Sequence, residues 1–446
     1  MNFSSVIFIF YFLPLILILY YVLPRKYQNT LLIIFSSFFY IFGDIKYFPL
    51  LLITAVVNYF LSKKVKNKAV LIIGIVLNIL PLVYFKYLNF IIDILNDVVK
   101  SNFDLFDLVL PLGISFLTFR MISFLVDVHR GKIQNITFKK FMLYTLLFTY
   151  QIEGPIVRYA DIENELEHRN ITNEDKENGA KRFIIGLAKK VILADTLGLF
   201  ITSINFTNTI VSLWLVALLN ILRLYLDFSA YSDMAIGLSL MLGFHFKENF
   251  NYPFVNKGMS DFWRKWHISL TSWFRDYVYI PLGGNRCSTL RNIINILVVW
   301  FLTGLWHGAN YTFIVWGLFF GIIIIFEKFI FKRFVSKHSV ISCIITNILV
   351  VIGFVFFYAD DLSSAFVTIK GMFGLNILPL INTDVIFYLK NYVLILIVSL
   401  VVSLNIFKLF KVKGRRLTFV YYIILLILST AYIVDSSFNP FLYFRF

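Results

Sequence analysis

Long apolar stretches recur along this 446-residue chain and decide what it can fold into. A helix that crosses a membrane needs about 20 mostly apolar residues. Hydrophobic residues make up 59% of the chain and charged residues 15%, whereas a soluble domain carries about 25% charged residues. A chain of this composition cannot cover itself with polar surface. We therefore expect an all-α polytopic membrane protein, and we exclude disordered, collagen-like, coiled-coil and disulfide-rich secreted classes.

The positions of the stretches predict about eleven or twelve transmembrane helices, some of them short, tilted or re-entrant. They lie near 3–23, 29–43, 46–62, 69–90, 108–127, 183–204, 208–227, 290–305, 310–327, 339–358, 385–407 and 417–434. The first stretch has no charge before it and is followed by Arg25 and Lys26, which indicates a retained span rather than a cleaved signal peptide. Because the chain shows neither a repeat of fixed period nor a linker, we predict one membrane domain over residues 1–446.

The net charge of +16 comes from 41 basic and 25 acidic residues. In a soluble protein this excess would suggest nucleic-acid binding, but in a membrane protein Lys and Arg concentrate in cytoplasmic loops. If the N-terminus is outside, basic clusters such as Lys63–Lys68, Lys328–Lys337 and Lys408–Arg416 lie inside, and Asp93–Asp107 and Asp360–Asp361 lie outside. The excess charge is therefore attributed to cytoplasmic loops rather than to a nucleic-acid partner. We predict a multi-pass protein of the plasma membrane with its N-terminus outside.

Motifs for metal, phosphate and serine-nucleophile sites do not occur in the sequence. Cys287 and Cys343 form no CxxC pair, so neither a disulfide framework nor a zinc site is predicted. HExxH, GxxxxGK[ST] and GxSxG patterns are missing too. The basic, glycine-rich PLGGNR, residues 281–286, is interpreted as a turn.

An aromatic and charged segment, residues 227–286, separates two groups of spans. Residues within it recur every three or four positions in a way that predicts a polar stripe on one helix; they are Asp261, Arg264, His267 or Ile268, Thr271 and Arg275. Trp263, Trp266 and Trp273 occupy other positions of that helix. One interpretation is an amphipathic helix that only anchors in the headgroup layer. The mixture of carboxylate, guanidinium, imidazole and hydroxyl groups instead favours a functional site.

A second constellation, FLTGLWHGANYTFIVWG at 301–317, lies in a 35-residue stretch without Asp, Glu, Lys or Arg. His307 is its one group that titrates near neutral pH, and an ionisable group at membrane depth is a functional hypothesis by default. Gly304 and Gly308 have the spacing of a helix-packing motif. The alternatives are a base held in a narrow, partly dry pocket and a histidine that merely hydrogen-bonds between packed helices.

Together, WRKWHISLTSWFRDYVYIPLGGNR and GLWHGANYTFIVWG resemble the signature pair of the membrane-bound O-acyltransferase family. The similarity is strongest to its bacterial branch of alginate and peptidoglycan O-acetyltransferases, and it extends over essentially the whole chain. Further matching segments are NFSSVIFIFYFLPLILILYYVLP, PLGISFLTFRMISFLVDVHRGK, QIEGPIVRY, GLAKKVILAD, DFSAYSDMAIG and the terminal NPFLYFRF.

The resemblance implies a fold of transmembrane, re-entrant and amphipathic helices around a central channel. It implies transfer of an acyl group, expected to be acetyl, from a cytoplasmic thioester through the membrane to a hydroxyl of an extracytoplasmic polysaccharide or of a partner protein. Acetyl-CoA would be a co-substrate, and no bound cofactor or metal is expected. His307 is then the catalytic base and His267 the second catalytic position. The residues expected to bind donor or acceptor are Asp261, Arg264, Thr271, Arg275, Asp276, Trp306 and Asn310.

Three alternatives stay open at this point. D-alanyl transfer to teichoic acid belongs to a branch that tends to lack the YIPLGGNR continuation present here. A transporter or flippase would favour paired repeats and buried carboxylates, and the spans are nearly free of Asp and Glu. A scaffold for an export complex would need no histidine chemistry. The resemblance also implies a separate extracytoplasmic, esterase-like partner protein, because the chain has no such domain.

Overall fold

The computed structural model describes residues 1–205, 207–406 and 414–435. The regular secondary structure of these residues is helical, and they contain no strand. The first nine α-helices are α1 (Leu13–Val22), α2 (Arg25–Asp44), α3 (Phe48–Ser62), α4 (Lys68–Leu82), α5 (Leu88–Val99), α6 (Ile114–His129), α7 (Phe138–Leu146), α8 (Tyr159–Ile162) and α9 (Asn173–Ala188). The others are α10 (Asp195–Ile204), α11 (Ile210–Met241), α12 (Met259–Lys265), α13 (Ile268–Phe274), α14 (Thr289–His307), α15 (Tyr311–Phe329), α16 (Lys332–Lys337), α17 (Ser339–Tyr358), α18 (Leu362–Met372), α19 (Thr383–Ser403) and α20 (Arg415–Asp435). Short π-helical segments occur at Phe8–Phe12, Val83–Tyr87, Lys189–Ala194 and Arg275–Tyr279.

Seven helical segments among the described residues are long and apolar enough to cross a membrane. They are Lys68–Val99, Ile210–Met241, Thr289–His307, Tyr311–Phe329, Ser339–Tyr358, Thr383–Ser403 and Arg416–Asp435. Two shorter apolar helices, Phe8–Val22 and Phe48–Ser62, accompany them. The prediction of an all-α polytopic membrane protein is confirmed. The terminal NPFLYFRF and residues 408–413 of the basic loop Lys408–Arg416 lie outside the described residues.

Two predicted spans turn out to be different kinds of helix. The stretch 108–127 contributes α6, which has 16 residues and buries both Arg120 and Asp127 within the protein. The stretch 183–204 is interrupted by the π-helical segment Lys189–Ala194, where the buried Lys190 pairs with carboxylates. Hydropathy measures how apolar a segment is and does not distinguish burial in protein from burial in lipid. The total of eleven or twelve crossings stays a prediction.

The chain divides into two compact units. The first contains Met1–Phe183 and Ser232–Glu248. In it α4 packs closely on α6: a Cβ added to Gly74 would lie 2.6 Å from Leu125 Cδ1. Nearby, the buried amides of Asn58 and Asn78 exchange hydrogen bonds of 2.9 and 2.8 Å. The side-chain amides of these two residues, on α3 and α4, thus satisfy each other's hydrogen bonds.

The second unit contains Ile184–Tyr231 and Asn249–Phe446, and it carries both predicted histidine motifs. Its centre is the antiparallel hairpin of α14 and α15, joined by residues 308–310. Small residues let the two helices touch: a Cβ on Gly304 would lie 2.3 Å from the Phe313 carbonyl oxygen, and one on Gly317 would lie 2.3 Å from that of Trp300. The helix-packing role predicted for Gly304 is therefore confirmed. Helix α17 packs on the same α15.

Candidate functional site

His307 is the last residue of α14, and its imidazole is buried, with 4% of the residue exposed. Three aromatic rings contact it: those of Trp306 at 4.8 Å, Trp316 at 4.9 Å and Phe357 at 5.2 Å between ring centroids. Trp316 belongs to α15 and Phe357 to α17. The histidine therefore lies in an aromatic pocket built by three helices.

The turn after His307 is tightly packed as well. A Cβ on Gly308 would lie 2.1 Å from the Phe313 ring, so only glycine fits there without a shift of that ring. Asn310 follows and caps α15, its side-chain oxygen accepting the backbone N–H of Thr312 at 3.0 Å. Its amide nitrogen donates to the Asp360 carbonyl at 3.1 Å. Asn310, predicted to bind substrate, thus fixes the turn that follows the histidine.

His267 lies between α12 and α13, in a left-handed backbone conformation with φ 45° and ψ 55°. Non-glycine residues adopt this region rarely, although histidine is among those enriched in it. The conformation breaks the segment, so the prediction of one continuous helix over 261–275 is wrong. Two seven-residue helices replace it, Met259–Lys265 and Ile268–Phe274.

The tryptophans of this segment also differ from the anchoring interpretation. Trp263, Trp266 and Trp273 are buried. Trp263 packs against rings of α14 and α15, with centroids 4.8 Å from Trp300 and 4.9 Å from Phe320. An amphipathic helix in the headgroup layer would place these rings in lipid. The segment is instead part of the protein core of the second unit.

Asn249 holds the imidazole of His267. Its side-chain oxygen lies 3.1 Å from His267 Nδ1 and accepts the Ser269 hydroxyl at 2.8 Å and the Ser269 backbone N–H at 3.3 Å. The Asn249 backbone carbonyl accepts the N–H of Ile268 at 2.8 Å. Since the Asn249 oxygen is an acceptor, the proton of a neutral His267 ring belongs on Nδ1, which leaves Nε2 with its lone pair.

The environment of His267 keeps the ring uncharged. Burial lowers its pKa from 6.5 to about 3, because the charged imidazolium is disfavoured away from water. The ring is surrounded by Phe228 at 4.7 Å and Trp306 at 6.1 Å between centroids. Trp306 thus contacts both histidines, which are forty residues apart in the sequence. The fold brings the two motifs into one aromatic cluster.

The other predicted binding residues are arranged around this cluster in different ways. Lys265 pairs with Asp261 at 2.9 Å, and Arg275 pairs with its neighbour Asp276 at 2.7 Å. Thr271 donates to the Trp263 carbonyl at 3.2 Å. Arg264 is exposed. The predicted stripe is therefore divided into two ion pairs, an internal hydrogen bond and the exposed guanidinium of Arg264.

The turn predicted for residues 281–286 is confirmed. Residues 281–286 form a turn, with positive φ at Gly283 and Gly284. In the first unit, His245 bonds to Glu165 at 2.9 Å and lies 3.4 Å from Asp175, which makes it a partner in a surface ion-pair cluster. Among the described residues no group of three or more His, Cys, Asp or Glu side chains is arranged to hold a metal ion.

Asn249 and Glu327 were missed by the sequence reasoning. Asn249 precedes His267 by 18 residues in KENFNYPF, where a polar residue among aromatic ones is the available signal. Glu327 is the one acidic residue at the end of the uncharged stretch 292–326, and its carboxylate accepts backbone N–H groups of α12.

Comparison with known proteins gives a consistent set of matches. The model of the MBOAT, membrane-bound O-acyltransferase, family matches residues 129–359, which include both histidine motifs. A probable alginate O-acetylase, AlgI, of Pseudomonas aeruginosa is 40% identical over 392 residues, covering 84% of this chain and 75% of the relative. A peptidoglycan O-acetyltransferase of Helicobacter pylori is 34% identical over 425 residues, covering 84% and 80%. A teichoic acid D-alanyltransferase of Bacillus subtilis is 28% identical over 272 residues, covering 55% and 68%.

Proposed function

Since this chain belongs to the membrane-bound O-acyltransferase family, we propose that it moves an acetyl group from a cytoplasmic thioester to a hydroxyl outside the membrane. Relatives that cover 84% of the chain are named alginate O-acetylase and peptidoglycan O-acetyltransferase, so an extracytoplasmic polysaccharide or peptidoglycan is the proposed acceptor. The observation that carries this proposal is the single aromatic cluster that holds both His307 and His267.

His307 acts as the general base. Its imidazole takes the proton of the acceptor hydroxyl while that oxygen attacks the thioester carbonyl. The C–S bond then breaks, and the departing thiolate takes the proton back from the imidazolium, so that ester and thiol are the products. A positioned base of this kind contributes about 10²–10⁴-fold. Burial of His307 supports this role, because it keeps bulk water away from the reacting groups.

The aromatic pocket protects the thioester from hydrolysis. Rings of Trp306, Trp316 and Phe357 surround the His307 imidazole. Water in this space would compete with the acceptor hydroxyl for the acyl group, and closed, apolar walls suppress such a side reaction.

His267 orients the donor through a hydrogen bond. Its Nδ1 side faces Asn249, and its low pKa keeps the ring neutral at physiological pH. A neutral ring does not stabilise developing negative charge as a cation would, so the role proposed for His267 is orientation of the donor. The ring can accept a hydrogen bond at Nε2 but carries no charge that would bind phosphate.

The donor's anionic part is proposed to bind at the cytoplasmic surface of the same segment, with acetyl-CoA as co-substrate and no bound cofactor. Exposed Arg264 suits this role, and basic clusters on the inner face raise the local concentration of an anionic donor. The N-terminus is proposed to be outside, in the plasma membrane. A separate extracytoplasmic, esterase-like protein is the proposed partner that delivers the acetyl group to the polymer where transfer is not direct.

The alternative functions receive less support. An O-acyltransferase is an enzyme, which disfavours a flippase or a scaffold. D-alanyl transfer is disfavoured because the D-alanyltransferase match is 28% identical and covers only 55% of the chain. The presence of YIPLGGNR also favours the acetylating branch.

The test is His307→Ala, with His338→Ala as a control at an exposed histidine of the same unit. We expect His307→Ala to abolish O-acetylation while the protein keeps its abundance in the membrane. Acetate released by mild base from envelope polysaccharide and from peptidoglycan is measured in cells that produce each variant. Normal acetylation with His307→Ala would refute the mechanism, and equal loss with His338→Ala would show that the effect is not specific to the site.

A further inference from the structure

We propose that Glu327 is a positioning residue for the acyl transfer: its carboxylate fixes the segment that carries His267 to the helix that contacts His307. The proposal rests on the proposed function, because it assigns Glu327 to the same two-histidine site. Glu327 lies near the C-terminal end of α15, half-buried, about five helical turns from Asn310 at the other end.

The contact uses both carboxylate oxygens. One accepts the backbone N–H of Met259 at 2.5 Å, and the other accepts that of Ser260 at 3.0 Å. These two groups belong to the first turn of α12, where backbone N–H groups have no partner within the helix. Hydrogen bonds to an ionised acceptor are about twice as strong as neutral ones. Glu327 therefore fixes the start of α12 to the end of α15.

Gly258 makes this approach possible. A Cβ at this position would lie 2.7 Å from Glu327 Oε2 and 2.8 Å from Val335 Cγ1. A larger residue would displace the carboxylate from the N–H groups that it accepts. Close approach of the backbone to a ligand group is one of the situations that select glycine.

Short chain segments and ring contacts link the Glu327–α12 contact to both histidines. Helix α12 ends at Lys265, and His267 follows two residues later with its strained backbone. The Trp263 ring of α12 lies 5.6 Å from the Trp316 ring of α15 between centroids. Trp316 in turn contacts the His307 imidazole. Because α15 contacts His307 and also holds α12, it sets the separation of the two imidazoles.

The next residue holds the other end of the same segment. Lys328 Nζ donates to Asn285 Oδ1 at 2.5 Å and to Asn292 Oδ1 at 2.7 Å. Asn285 Oδ1 also accepts the hydroxyl of Tyr279 at 2.7 Å. Two adjacent, oppositely charged residues of α15 thus hold residues 259 and 285, on either side of His267. Charges at the end of an apolar helix are costly to bury unless they are bonded in this way.

The first experiment compares Glu327→Ala and Glu327→Gln with the matched exposed carboxylate variants Asp384→Ala and Asp384→Asn. Transfer from acetyl-CoA is measured in vesicles that contain the purified full-length protein. We expect Glu327→Ala to lower kcat about 10–100-fold, the scale of a misplacement of about 1 Å, with the donor KM changed less than about threefold. Glu327→Gln should be intermediate, since its amide oxygen still accepts one N–H. Gly258→Ala should lower kcat in the same direction, and both Asp384 variants should match the wild type.

The second experiment separates positioning from general damage. If Glu327 acts through His267, adding Glu327→Ala to His267→Ala should cause no further loss, whereas a merely structural role predicts the same fold loss in both backgrounds. If His267→Ala has no measurable rate, hydrogen exchange decides: Glu327→Ala should speed exchange of amides 258–275 and leave exchange elsewhere unchanged.

Two results would overturn the proposal. The first is a kcat of Glu327→Ala equal to that of the wild type while His307→Ala is inactive. That result would refute the role of Glu327 but would not contradict the proposed function. The other is faster exchange over the whole chain or an additive loss with His267→Ala. Acetylation that survives His307→Ala would instead contradict the proposed function itself.

Discussion

The neutral, buried His267 predicts how stability depends on pH. Burial lowers its pKa to about 3 in the folded protein, whereas an unfolded chain returns it to about 6.5. The unfolded state therefore binds a proton below pH 6.5 that the folded state does not bind. Stability from this group is fully present above pH 6.5 and is lost as the pH falls towards 3.

The magnitude follows from these two pKa values. Between pH 7.5 and pH 5.0, preferential protonation of the unfolded state lowers the free energy of unfolding by about 2 kcal/mol. The perturbation is His267→Gln, since glutamine keeps polarity near Asn249 but binds no proton. We expect the wild type to lose about 2 kcal/mol more than His267→Gln over this interval.

The assay is equilibrium unfolding of the purified protein in one detergent at pH 7.5 and at pH 5.0. His245→Gln provides a control of opposite sign. Burial lowers the pKa of His245, but hydrogen bonds and charges of Glu165 and Asp175 outweigh it, and the pKa is raised. Its contribution is present below pH 6.5 and is lost as the pH rises through the folded pKa, so His245→Gln should increase the loss on acidification. Equal losses for the wild type and His267→Gln would refute the reasoning.

Two further predictions concern the packing and the hydrogen bonds of the site. Asn249→Leu leaves the buried donor of His267 without its acceptor, at a cost of about 1–3 kcal/mol, and also removes the acceptor of the half-buried Ser269. It should lower kcat at least about tenfold by releasing the imidazole; unchanged kcat and an unchanged unfolding free energy would contradict this prediction. Asn249→Asp keeps the acceptor and adds a negative charge, so it should raise the pKa of His267. The acid limb of the rate–pH profile should then move to higher pH, as measured from rates between pH 5 and 9. Gly304→Val places atoms against the Phe313 carbonyl, only 2.3 Å from the new Cβ, and should destabilise the α14–α15 hairpin by about 1–3 kcal/mol; a thermal unfolding temperature equal to that of the wild type would contradict it.

The sequence predicted what depends on composition and local spacing. Helical secondary structure, helices suited to cross a membrane and the close packing at Gly304 follow from apolar length and small residues. The described residues have helices long and apolar enough to span a membrane and a tight contact at Gly304. The two histidine motifs were also identified from their residues. Their meeting at Trp306 was not derivable from spacing, because residues 267 and 307 are separated by a whole span and their distance depends on the fold.

The failures have a common physical origin. Polar residues spaced three or four apart lie on one helix face only if every residue between them has a right-handed helical backbone conformation. His267, with its φ of 45°, does not. Periodicity likewise carries no information on long-range partners. The Asn249 side chain contacts His267, which lies 18 residues away in the sequence, and Glu327 accepts a hydrogen bond from Met259, 68 residues away. Such contacts appear in a sequence only as isolated polar residues in apolar surroundings.

The distribution of charge around His267 bears on how the proposed donor would bind. Lys265 and Arg275 are paired with Asp261 and Asp276, so their charges are largely compensated locally. Arg264 is exposed on the same short helix as Lys265. Guanidinium groups bind phosphate through two parallel hydrogen bonds. We infer that the anionic part of a thioester donor binds at the exposed cytoplasmic surface of this segment, at Arg264.

The interior of the same segment has the opposite character. The His267 ring is neutral, and its neighbours Phe228 and Trp306 are aromatic. A charged phosphate would lose its hydration there without a compensating partner, whereas a neutral acyl thioester would not. Acetyl-CoA has this same division between an anionic nucleotide and a neutral acyl end. The proposed arrangement therefore places the phosphates at the exposed surface and the reacting carbonyl among the aromatic rings beside His307.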